Sequence, residues 1–342
     1  MNILEPWIFL RMVAGLVGVI FFVRAATTSA KVLRHFDLAR ASEGQLALER
    51  RVELASTFVR VATVTQVASL ALTVLAADRL SHGVRGAMCA YGVFHANDMG
   101  FPALWTGGGV ALIAGVLAQV YAFDARLPRL DLVRALSVLT LAVAPLAIAD
   151  FLVTSRFFLD LDLNVVASCC SVELDATEAG AARYATGPRE LASIVGPIAI
   201  ALSIALALFA ARRPRPPMVA LAGAVSIAAL PPALAATVLE VAPYTFELPQ
   251  HVCPFCLLRG DAFGIGYLLF GGIFLAVVWG AGAAASALLS RRARSPDVFA
   301  VFEAFARDRL RRGAFAWAVV LAAGVAPIVR YAIVSGGASL FR

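Results

Sequence analysis

AFGIGYLLFGGIFLAVVWGAGAAASALL, residues 262–289, carries no charged side chain over a length that crosses the hydrocarbon core of a bilayer. A helix rises about 1.5 Å per residue, so about 20 residues cover about 30 Å. In lipid the backbone must satisfy its own hydrogen bonds. A long Ala-, Leu- and Val-rich run without period-two alternation does that as a helix. Working outward from this run, comparable ones recur at about 7–26, 54–77, 103–123, 133–154, 190–211, 218–239 and 313–334. The reading is an all-α polytopic membrane protein of about eight transmembrane helices, one domain over residues 1–342.

Composition agrees. Of 342 residues, 61% are hydrophobic and 15% charged, with a mean hydropathy of +0.85. Soluble domains average about 45–50% and about 25%. The net charge of +7 does not signal nucleic acid, because the arginines stand in short clusters between apolar runs. They are topology signals. Arg34, Arg40, Arg50 and Arg51, then Arg126, Arg129 and Arg134, then Arg212, Arg213 and Arg215, then the group from Arg291 to Arg312, follow the odd-numbered spans. Those connections are expected in the cytoplasm and both termini outside, in a bacterial inner membrane whose lipid bilayer is the principal partner. A single lysine, Lys31, among many arginines and alanines points to a GC-rich genome.

That topology puts every cysteine on the outer side: Cys89 after the second span, Cys169 and Cys170 after the fourth, Cys253 and Cys256 after the sixth. Disulfides persist in such a compartment. The motif His251-Val-Cys253-Pro-Phe-Cys256 has the spacing of redox dithiols and of half of many metal sites. It leads toward the seventh span, and a helix N-terminus there would favour the thiolate. Cys89 lies in a Gly-, Met- and aromatic-rich stretch with Met88, His95 and Met99. Five cysteines cannot all pair within one chain, and adjacent Cys169 and Cys170 form only a strained ring.

Three functions are consistent with these residues. The first is thiol–disulfide transfer with an extracytoplasmic thiol protein. Cys253, Cys256 and Cys89 would be the exchanging thiols, Cys169 and Cys170 a shuttle or staple, and a quinone the membrane acceptor. The second is copper or zinc binding or transport through Cys89, Cys253, Cys256 and His251 or His95, since Cys, His and Met select soft ions. The third is a transporter subunit with structural disulfides. Its cytoplasmic segments 27–53 and 296–312, with apolar residues at helical spacing among charges, would cover the bundle base or dock a partner such as an ATPase. The outward-facing C-x-x-C with further loop cysteines resembles disulfide-generating membrane oxidoreductases of the vitamin K epoxide reductase type. Those are smaller four-helix proteins, and this chain departs from them in helix number and in Cys169-Cys170.

Other features carry expectations. Arg11, Arg60, Asp150 and Arg330 fall in or near spans, where charges are costly and face the interior. Asp150 and Arg60 are candidates for an internal structural pair or for a transport element. Pro145 should kink the fourth span, and Pro231-Pro232 should kink or unwind the sixth.

Overall fold

The computed structural model describes residues 5–36, 43–127, 131–162, 164, 178–291 and 298–341, without the side chains of 178–186. Among the described residues, eight helical stretches are long and apolar enough to cross a membrane. They are α1 (Pro6–His35), α2 (Glu43–Leu80), α4 (Gly100–Asp124), α5 (Val133–Leu159), α6 (Glu178–Arg212), the broken sixth span, α10 (Ile265–Ser290) and α11 (Val298–Val334). A short α3 (Ala90–His95) lies between α2 and α4. The chain is a multi-pass all-α membrane protein.

The sixth span breaks where its prolines remove backbone donors. It consists of α7 (Pro216–Ala228), α8 (Leu230–Ala236), a π-helical turn Thr237–Val241 and α9 (Ala242–Phe246). Thr237 Oγ1 donates to the Ala233 carbonyl at 2.8 Å, and Arg189 of α6 clamps Glu240 of the π turn at 2.8 Å. Pro145, by contrast, lies inside an α5 that continues through it.

The helices form two four-membered rings. In the first, α1 packs on α2, α2 on α4, α4 on α5 and α5 back on α1. In the second, α6 packs on α7 and α8, α7 on α10, α10 on α11 and α11 on α6. The rings meet along α4 and α10.

The segments 27–53 and 296–312 are not separate surface helices where they are described. Residues 27–35 extend α1, 43–53 open α2, and 298–312 open α11. Their apolar residues explain the continuity. Val32, Phe36, Leu48, Val52 and Val133 form a small apolar knot, and Phe302 and Phe305 pack against Phe123 of α4.

One buried polar network holds the first ring. Asp150 Oδ2 lies 3.7 Å from Arg11 Nη2 and accepts from Gln66 Nε2 at 2.7 Å, while its Oδ1 accepts from Thr106 at 3.1 Å. Arg11 Nε donates to Thr73 at 3.1 Å, and its guanidinium lies over the Phe151 ring. Arg60, the candidate partner of Asp150, is exposed on α2, and Arg11 makes the pair. The reason is facing: Gln66 and Thr73 mark the interior stripe of α2, and Arg60 falls off that stripe. Arg330 pairs with Glu247 at the surface.

Candidate functional site

At one end of the bundle the connection through α3 meets the connection after α9. Glu247, in the left-handed region at φ 58°, ends α9 and turns the chain toward the cysteines. Phe255 and Cys256 carbonyls then accept from Leu258 and Arg259, closing a 3-10 turn over Cys256–Leu258. A second such turn, Gly260–Ala262, follows, and Phe263 and Gly264 both take positive φ before α10 begins. The C-x-x-C therefore does not sit at the N-terminus of the seventh span, as its sequence position suggests. Cys89 is the thiol at a helix start, in extended backbone at the cap of α3.

The sulfurs converge. Cys89 Sγ is 3.4 Å from Cys253 Sγ, and the sulfurs of Cys89, Cys253 and Cys256 all lie within 4.8 Å of one another. Cys89 and Cys253 are fully buried and Cys256 is half-buried. The surround is aromatic and apolar: Phe94 packs on Phe255 at 5.3 Å and on Phe157 at 5.4 Å, with Ile8, Trp7 and Met12 of α1 in the same cluster. Two polar ties fix the loops. Arg259 Nη1 donates to the Met88 carbonyl at 3.0 Å, joining the two cysteine connections, and Asn97 Nδ2 donates to the Phe157 carbonyl at 3.0 Å.

The electrostatics follow from that convergence. Hydrogen bonding from Cys253, and next from Cys256, holds the Cys89 thiol far below its ordinary range, and burial opposes this only in part. The Tyr91 and Gly92 amides add a smaller push in the same direction. His251 is half-buried, its ring 4.2 Å from that of Phe246, and its Nε2 is buried without a hydrogen-bond partner. Burial lowers its basicity, and the Cys89 charge acts the other way. His95 is exposed and its ring stacks on Tyr91.

Of the sequence-derived candidates, the structure thus brings Cys89, Cys253 and Cys256 together. His251 and His95 are outside the group of ligand atoms within 4.8 Å. Cys169 and Cys170 lie outside the described residues. Sequence reasoning missed the floor that α1 supplies and the Arg259 tie, neither of which leaves a motif.

Gly100 positions Cys89 indirectly. A Cβ there would overlap the Phe94 carbonyl and carbon of α3. Gly100→Ala is expected to push α3 off α4 and cost about 1–3 kcal/mol. A thermal shift of the detergent-solubilised variant, with faster alkylation of Cys89, checks this; unchanged alkylation refutes the link to the thiols.

The fold and the centre define a polytopic helical membrane protein with a three-thiol cluster, two of its thiols buried, at one end of its bundle. No family model matches the chain, and neither a curated protein nor a solved structure does.

Proposed function

We propose that this protein binds a soft metal ion, Cu(I) foremost and Zn(II) next, at Cys89, Cys253 and Cys256 on the extracytoplasmic face of a bacterial inner membrane, as a metal-handling membrane protein. The observation that carries the reading is the convergence of three sulfurs from two separate connections, two of them fully buried. Thiolates bound to one ion with bonds of about 2.3 Å stand about 3.8 Å apart, a spacing compatible with the 3.4 Å contact and the 4.8 Å limit seen here. Soft sulfur donors select Cu(I) and Zn(II) over hard cations. The first cysteine of the motif, Cys253, is fully buried, which suits a ligand better than a nucleophile that must meet a partner protein.

The testing experiment is anaerobic purification without chelators, followed by metal analysis and thiol trapping on one sample. One copper or zinc per chain with three protected, reduced thiols supports the reading. Its absence, with a disulfide in their place, overturns it.

Only deprotonated thiols ligate, so proton release on binding counts the thiols still protonated. With Cys89 ionised near neutral pH, one Cu(I) is expected to release fewer than three protons, measured in weakly buffered solution. Lowering the pH should raise the count only as Cys89 begins to protonate. Release of three at neutral pH would show an ordinary Cys89 thiol.

A second reading, thiol–disulfide transfer, is favoured by the half-exposed Cys256 beside two buried thiols. A Cys253–Cys256 disulfide would take two electrons from a partner dithiol, which closes to its own disulfide. The two thiols formed would pass two electrons and two protons to a quinone. Thiol trapping decides between the readings, because transfer requires a disulfide that mild reductant opens and no stoichiometric metal.

A further inference from the structure

The two helical rings are built on the same plan. In each, the first helix packs on the second and fourth, the third packs on the second and fourth, and the cysteine connection joins the second to the third. The sequence around those connections repeats without a gap. Cys89, Gly100, Leu104, Gly107 and Gly108 stand at the same spacing as Cys253, Gly264, Leu268, Gly271 and Gly272. Aromatic Tyr91 answers Phe255, and Asn97 answers Asp261.

Contacts repeat as well. Thr63 of α2 donates to the Ala114 carbonyl of α4 at 3.2 Å, and Ser226 of α7 donates to the Ala276 carbonyl of α10 at 3.2 Å. The repeat spacing places Ser226 within one residue of the counterpart of Thr63, and Ala276 within two of the counterpart of Ala114. Where the rings meet, Gly115 of α4 lies against Val278 of α10, and Gly282 of α10 lies against Gln119 of α4. Each of these partners is within one residue of the other's counterpart. With two units, and with four spans per unit making α4 and α10 run the same way, contacts between counterparts place a pseudo-twofold axis along the membrane normal. Cys89 and Cys253, 164 residues apart and 3.4 Å from each other, are counterparts that meet near this axis. Cys256 stands where the first unit has Gly92, so the second unit adds one extra donor.

We propose that the chain is an internal duplication of a four-helix unit and that the three-cysteine centre is a clasp between the two units, the bound ion fixing how they sit at the cysteine end. The proposal rests on the soft-metal reading for its ligand. The donors are divided between the units, so the ion binds best when both are drawn together. By linkage it stabilises that arrangement over any more open one.

The test uses the full chain in lipid nanodiscs, with non-cysteine spin labels at exposed Asp98 of the first unit and Asp261 of the second. Distances are read by double electron–electron resonance after chelation and after one equivalent of Cu(I) under reductant, with bound copper measured on the same sample. A pair at Asp98 and Asp160, within the first unit, is the control. The expected result is a shorter, narrower distribution between the units on adding Cu(I), no change in the control pair, and loss of the effect in Cys89→Ser. Bound copper with an unchanged distance between units, or an equal change in the control pair, overturns the clasp and leaves the metal reading standing. No bound copper overturns both.

Discussion

Cys253→Ser is expected to weaken Cu(I) binding by about 100-fold or more. A structural four-ligand zinc site is worth about 10–16 kcal/mol, so one ligand carries roughly 3 kcal/mol, about a hundredfold in affinity. Serine retains the volume but not the soft donor, and Cys253 is the fully buried sulfur of the C-x-x-C, 3.4 Å from Cys89. Cys89→Ser should match it. Cys256→Ser should lose somewhat less, because the half-buried position leaves room for solvent or an added thiol to substitute. Competition against a chromophoric Cu(I) chelator measures all three. Equal affinity in Cys253→Ser and the parent would remove the centre from the metal reading altogether.

The second large effect lies inside the membrane. Asp150→Leu leaves the buried Arg11 guanidinium without its carboxylate and Gln66 without its acceptor. Removing one partner of a buried pair costs about 3–5 kcal/mol, whereas replacing both by apolar residues of similar volume is often nearly neutral. Asp150→Leu alone should therefore fall sharply in folded yield and melting temperature. The double variant Arg11→Met with Asp150→Leu should regain most of that loss. Asp150→Asn, whose single amide oxygen replaces the two carboxylate oxygens that accept from Gln66 and Thr106, should fall between them. Size-exclusion recovery and thermal unfolding in one detergent measure the cycle. If Asp150→Leu unfolds at the parent's temperature, the network does not hold the ring. If the double variant is as damaged as the single, the cost lies in packing and not in the lost pair.

Counterpart connections of the two rings meet at the cysteine end, but the Arg11–Asp150 network belongs to the first ring only. In the second ring a different tie, Arg189 of α6 to Glu240 of the π turn, joins the first helix to the second. The rings therefore share a helix arrangement and the placement of one cysteine while differing in what braces them.

The linear chain determined the spans. Uncharged runs such as 262–289 leave no other solution in lipid, because a backbone without water must close its own hydrogen bonds, and Pro231-Pro232 marked the break in the sixth span for the same reason. It also singled out Cys89, Cys253 and Cys256 by residue type and spacing, and the repeated Cys–Gly–Leu–Gly-Gly pattern was present in the letters throughout. Tertiary structure decided what those residues meet. Which face a charge takes depends on helix rotation, so Arg11 and not Arg60 found Asp150. Whether α10 begins at the C-x-x-C depends on two 3-10 turns and left-handed Phe263 and Gly264, and it is Cys89, at the cap of α3, that stands at a helix start. The 3.4 Å contact between sulfurs 164 residues apart arises from how α4 packs on α10, a relation between distant segments that no local spacing encodes.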